Sequence, residues 1–163
     1  MKAALSRGVA VRALLLAAVC AGPAAAQDSG AGKALFAQHC AVCHQASGVG
    51  QDGLAPPLTA MPGRYAGTPA GRQLLARVGL FGMYGEIDSG GKRFNGNMPA
   101  FRALPDHELA DILNYLVFDV SAATRGDDVA QYQAEEVAAL RGQVMGGAEV
   151  RRQRSAVLEG AGK

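Results

Sequence analysis

No apolar stretch of this 163-residue chain is long enough to cross a bilayer. The best candidate, within residues 13–26, is about 14 residues against the roughly 20 that a helical span needs. A retained membrane span is therefore not expected. Runs of Lys or Arg are also missing. "RRQR" at 151–154 is short and interleaved with acids, which reads as a solvated helix face and excludes a nucleic-acid partner. No segment alternates apolar and polar residues for the length of a strand, so the fold class is all-α. Cysteine is scarce, with three in the whole chain. A disulfide-stapled scaffold is thereby excluded, although an exported chain with two remaining cysteines has the means for one bridge.

The N-terminus is the first positive signal. Lys2, Arg7 and Arg12 precede the apolar "ALLLAAVCAG", which ends in Pro23 and the small residues "AAA" before Gln27. This is the pattern of a secretory signal over 1–26 cleaved after Ala26, and it implies export to the periplasm. Val19 precedes Cys20 where a lipoprotein pattern wants a small residue, so Cys20 is expected to leave with the signal. Cleavage removes three of the 16 basic residues and none of the 14 acidic ones, leaving a net charge of −1.

The remaining 137 residues have room for one domain and an appendage. Ser29 is placed to cap a helix that carries Leu35 and Phe36 into the cysteines. Gly and Pro crowd 48–65, which predicts an ordered loop, and a middle helix is expected from Pro69 to about Tyr84. A second loop covers "GEIDSGGKRFNGNMPAFRAL". In "PDHELADILNYLVFDV", Leu109, Ile112, Leu113, Leu116 and Val120 fall at the spacing of one buried helix face. Pro105 suits the helix start, and Asp106 and Glu108 favour its dipole. Beyond Ser121 the text turns polar and alanine-rich, with two short helices expected around Gly146-Gly147.

The chemistry concentrates in "QHCAVCHQASG", where Cys40, Cys43 and His44 spell C-x-x-C-H. Residues three apart lie on one face of a helical turn. Both sulfurs can then reach neighbouring vinyl groups on one porphyrin edge while the adjacent imidazole turns to the iron, so covalent haem attachment is the natural reading. Zinc would need a fourth ligand and usually a second Cys or His pair. A thioredoxin-type redox pair belongs in a βαβ setting. A structural disulfide would not require the histidine. For a second axial ligand the sequence offers Met61, Met83, Met98 and Met145. Met98 is favoured because its loop, "FNGNMPAF", can turn inward just ahead of the strongest helix; Met61, also before a proline, is the rival. Met83 reads as core, the ordinary fate of a methionine.

On "GKALFAQHCAVCH", "GLAPPL" and "FNGNMPAFRALPDHELADILNYL", residues 28–120 resemble the class I c-type cytochromes. The resemblance implies one covalent haem c held by Cys40 and Cys43, with His44 and Met98 as the iron ligands. It implies that the first and last helices cross beside the haem, with Phe36 and Tyr115 as contacting aromatics. Pro56 matches the proline whose carbonyl accepts the hydrogen bond of the axial histidine, and Leu58 matches a haem-packing leucine. The chain departs from the family in having Pro105 where a Ser or Thr cap is common, no tryptophan, and a tail beyond Ser121.

The expectation is a haem domain over 27–120 and a helical extension over 121–163, with Val137, Leu140 and Val144 as a stripe for docking a partner or for folding back. The protein is expected to be a single-electron carrier between redox protein partners, with no catalytic residues of its own. A dedicated electron-accepting subunit of a periplasmic dehydrogenase or oxidase complex is the alternative. A haem peroxidase is a third reading, against which Met98 stands. His39 and His107 read as exposed, and Lys33, Lys92 and Arg93 as solvated residues able to line a docking face.

Overall fold

The computed structural model describes residues 29–161. The expected signal segment and Cys20 lie outside the described residues. Helix α1 (Ser29–His39) runs into the one-turn α2 (Ala41–His44). Then follow α3 (Met61–Ala66), α4 (Pro69–Phe81), α5 (Asp106–Tyr115), α6 (Ala134–Arg141) and α7 (Gly147–Ala161). Helix α4 starts where Thr68 caps it, its hydroxyl accepting from the Gly71 N–H at 3.1 Å, with Pro69 as the first helical residue. It ends at Phe81, three residues before the sequence expectation, because Gly82 breaks it at φ 69°.

Two features differ from the sequence reading. Met61–Ala66 is helical where a loop was expected, with Pro62 in its first turn. The segment 83–98 carries two small antiparallel ladders, so the helical class holds with a minor strand component. Strand β1 (Met83–Tyr84) pairs with β4 (Asn97–Met98), and β2 (Ile87–Ser89) pairs with β3 (Lys92–Phe94). The second ladder is a hairpin closed by Gly90-Gly91 at φ 62° and 74°, the positive pair that a two-residue turn requires.

Helix α1 crosses α5, where the Phe36 and Tyr115 rings meet with centroids 5.5 Å apart. Phe36, Ile112 and Leu116 form one small buried cluster there. The regular helix stops at Tyr115, short of Val120. The next turn, Leu116–Val120, is widened, with Ser121 donating both its N–H and its hydroxyl to the Leu116 carbonyl.

The larger core joins α4 and α5 to the tail. Leu74, Leu80, Leu109, Leu113 and Val117 pack with Tyr132, Val137, Leu140 and Val150. Val137 and Leu140 are therefore covered within the chain, and of the expected docking stripe Val144 alone is exposed. Three polar fasteners hold the tail there. Arg72 grips Glu136 with bonds of 2.6 and 2.8 Å and also donates to the Ala130 and Gln131 carbonyls. Arg141 donates to Asp106 at 2.8 Å and to the Arg102 and Leu104 carbonyls. The buried Asn114 amide exchanges two hydrogen bonds with the Tyr132 backbone. Among the described residues no helix is long and apolar enough to cross a membrane.

Candidate functional site

The turn at α2 is set by the Cys43 and His44 amides, both donating to the Cys40 carbonyl at 3.2 and 3.0 Å. It places both sulfurs and the imidazole on one cleft, whose wall includes Cys40, Cys43 and His44. Neither cysteine is in a disulfide. After His44 the chain reverses at Gln45, a non-glycine residue held at φ 63°. Such a conformation costs about 1–2 kcal/mol and persists only where its surroundings enforce it.

That reversal folds the Gly/Pro-rich loop back under the histidine. The Gly50 N–H donates to the His44 carbonyl at 2.9 Å, and the Leu58 N–H to the Gly48 carbonyl at 2.7 Å. The Pro56 carbonyl arrives 3.0 Å from His44 Nδ1. A carbonyl only accepts, so Nδ1 carries the proton and Nε2 keeps its lone pair. His44 is buried, which lowers its pKa from the ordinary 6.5, and the Pro56 bond only partly opposes this. The imidazole is neutral at pH 7, as a metal ligand must be.

Burial, with Cys43 adding to it, pushes the Cys40 thiol up to about 11. The free Cys40 side chain is thus a neutral thiol at pH 7 and not an activated thiolate nucleophile. Among the described residues no three His, Cys, Asp or Glu side chains gather into a metal cluster.

The sequence candidates converge. Pro56, Leu58, Met61 and Met98 line the same cleft as the C-x-x-C-H turn. Met98 reaches it from β4, a strand and not the expected loop, and Met83, read as core, lies beside it in ladder register and also lines the cleft. Gly82 makes this approach workable, since any Cβ there would collide with the Met98 carbonyl. His39, expected to be exposed, is half-buried on the cleft wall with its ring edge-on to Phe101. Lys92 pairs with Asp52 at 2.9 Å on the surface.

The cleft has an accessible volume of about 180 Å³ and opens to solvent at its mouth. Its wall is overwhelmingly apolar. Two thiols one turn apart, a neutral imidazole with a fixed tautomer, methionine thioethers and apolar walls fit an iron porphyrin joined through its vinyl groups. Two polar groups on the wall carried no signal at the level of motifs: Tyr65 and Arg154. Arg154 is 8 % exposed, which corrects the solvated reading of "RRQR".

Comparison with known proteins defines the class. The chain matches the Cytochrome c family over residues 29–117, more than half its length, and belongs to that family. It is 36 % identical over 130 residues to a Cytochrome c-552 of Thermus thermophilus, covering 80 % of this chain and 86 % of that protein. A second Thermus thermophilus protein of the same name is 36 % identical over 110 residues, covering 68 % of this chain and 83 % of its own length. The fold is that of the class I cytochromes c, and the protein is a monohaem electron carrier with covalent haem c.

Proposed function

We propose that Cys40 and Cys43 are the haem attachment points, that His44 Nε2 and the Met98 thioether ligate the iron, and that the protein shuttles single electrons between periplasmic redox proteins. The observation that carries the reading is the 3.0 Å bond from His44 Nδ1–H to the Pro56 carbonyl inside the methionine-lined cleft. It fixes the ring's tautomer and makes Nε2 the only nitrogen able to bind metal. When bound, haem supplies a one-electron ferric–ferrous couple. The chain's part is to attach it, to fill both axial positions and to keep water from it. Two filled positions leave no room for a substrate, and a Met/His pair within apolar walls favours the less charged reduced state.

Export by residues 1–26 belongs to the same reading, because haem carriers of this kind need partners in the same compartment. The apolar side chains Val42 and Leu54, exposed at the cleft's rim, suit a transient redox contact. A dedicated subunit of a dehydrogenase or oxidase complex would use the same cleft. Copurification from native periplasm separates the two.

Three measurements test the site. Haem should stay with the polypeptide after acid denaturation and extraction into organic solvent; extraction would refute attachment. The ferric protein should show the weak far-red sulfur-to-iron band, lost in Met98→Ala and kept in Met61→Ala. The reverse pattern would move the ligand to Met61. Ready carbon monoxide binding by the ferrous wild type would point instead to an open-site enzyme.

A further inference from the structure

Arg154 stands out in the wall of the cleft. It lies on α7, outside the 29–117 family match, yet its side chain faces the same cavity as Cys40 and His44. Its place on the helix explains this. Val150 is fully buried one turn earlier and Val157 packs on the core three residues later, so Arg154 occupies the inward face between them. A guanidinium stands where the pattern calls for an apolar side chain.

The charge is buried without a counter-ion. Among the described residues no carboxylate pairs with Arg154, whose hydrogen bond is from Nη2 to the Asp88 carbonyl at 2.7 Å. Buried charges are costly unless paired, and one carbonyl leaves guanidinium donors of Arg154 available to the cleft that it lines. Beside it the Tyr65 hydroxyl is buried and has no hydrogen-bond partner. Burial raises the Tyr65 pKa, while the charge of Arg154 and the approach of its side chain to within weak hydrogen-bonding reach pull it down, so the two groups lie side by side. Ser89, next to Asp88, adds a hydroxyl to the same wall. In a cleft whose wall is mainly apolar, a guanidinium and a phenol converge from α7 and α3.

We propose that Arg154 and Tyr65 form a carboxylate-binding corner that receives a propionate of the haem, making the C-terminal helix part of the redox site. The proposal rests on the haem reading of the cleft. Haem carries carboxylates on the side of the ring away from its vinyl groups, and a buried guanidinium with a phenol is the donor set such an anion needs. The pairing holds that propionate ionised to a lower pH and keeps a fixed positive charge beside the iron, which favours the reduced state. The tail thereby sets the potential as well as completing the core.

The test is the midpoint potential of the holoprotein measured from pH 5 to pH 10, for wild type, Arg154→Gln, Arg154→Lys, Tyr65→Phe and the exposed control Arg152→Gln. Removing an opposite charge at contact range should move the redox-linked acid transition upward by roughly 1–3 pH units. Arg154→Gln is expected to show that shift and a lower potential above it. Arg154→Lys should show a smaller shift, and Tyr65→Phe a smaller one in the same direction. Arg152→Gln should leave the transition in place. An unmoved transition in Arg154→Gln, or an equal shift in Arg152→Gln, overturns the proposal, and reduced thermal stability alone would show that Arg154 only anchors the 88 carbonyl. If Arg154→Gln does not accumulate, Arg154→Lys and Tyr65→Phe decide by the same criterion. Covalent haem and the far-red band are checked in every sample. Their failure in wild type would refute the ligand assignment, whereas an unmoved transition with both intact refutes only this corner.

Discussion

Asn114→Ala offers the sharpest test of whether the tail is part of the folded core. Asn114 is buried on α5, and its amide meets a single residue of the tail twice. Nδ2 donates to the Tyr132 carbonyl at 3.0 Å, and the Tyr132 N–H donates to Oδ1 at 2.7 Å. Tyr132 is itself fully buried, so water cannot replace the lost amide. Alanine strands one backbone N–H and one C=O, each at a cost of roughly 1–3 kcal/mol, hence about 2–6 kcal/mol together. That is a large share of the roughly 5–15 kcal/mol available to a domain. At about 4 °C per kcal/mol for a chain of this size, the melting midpoint should fall by about 8–24 °C.

The assay is unfolding of the holoprotein followed by far-ultraviolet circular dichroism and haem absorbance together, with denaturant midpoints as a second measure. The haem spectrum at 25 °C should not change, because Asn114 does not line the cleft. Asn114→Leu separates polar pairing from packing, since it restores volume and leaves the same two backbone groups unmet. It should be destabilised nearly as much as alanine. A leucine variant near wild type would show that volume, not the amide, held the tail. A shift under about 1 kcal/mol in both variants is smaller than even one buried unmet group should cause, and would refute the burial of Tyr132.

Ending the chain after Val120 removes Tyr132, Val137, Leu140 and Val150 from the core. Each such side chain contributes roughly 1.5–3 kcal/mol, so the truncated cytochrome should melt well below the full chain; an unchanged midpoint would restore the independent-appendage reading. Gly82→Ala forces the Met98 strand to move, and the far-red band should weaken or vanish at lower temperature than in wild type, as optical melting would show. Burial raises the Tyr132 pKa above its ordinary 10, Arg72 opposing and Glu136 adding to it. Its stabilising effect is therefore complete below pH 10 and lost as pH climbs toward the folded-state value. Tyr132→Phe should lose less stability between pH 9 and pH 11 than wild type, and parallel losses would refute the assignment.

The parts of this molecule legible in the sequence are those whose signal is local. The C-x-x-C-H turn and the periodic face of α5 each depend on a few neighbouring residues, the Pro56 carbonyl beneath His44 was implied by the family resemblance, and the three meet in one cleft. What the sequence left open depends on long-range partners. Val137 and Leu140 announce an apolar stripe, but nothing near them says that α4 and α5 cover it. The hairpin has a turn signal in Gly90-Gly91, but its three-residue strands are too short to show alternation.

Arg154 is the instructive case. In the text it is one of three arginines in "RRQR", chemically the same as Arg151 and Arg152, and a charge run read by composition is a solvated face. Only its offset from Val150 and Val157 turns it inward, and that offset has meaning only once α7 is known to be buried along the same line. The Asn114–Tyr132 pair, the Arg72–Glu136 and Arg141–Asp106 bridges and the Val150 contact fasten the tail at successive points. A guanidinium at the end of such a chain of fixed contacts is held with little freedom. It can thus act on the cleft as a fixed charge, where an arginine on a loose tail would be averaged out by solvent. Stability of the tail and control of the redox centre are on this view one property, because Val150 and Val157, which bury α7, are also the residues that aim Arg154.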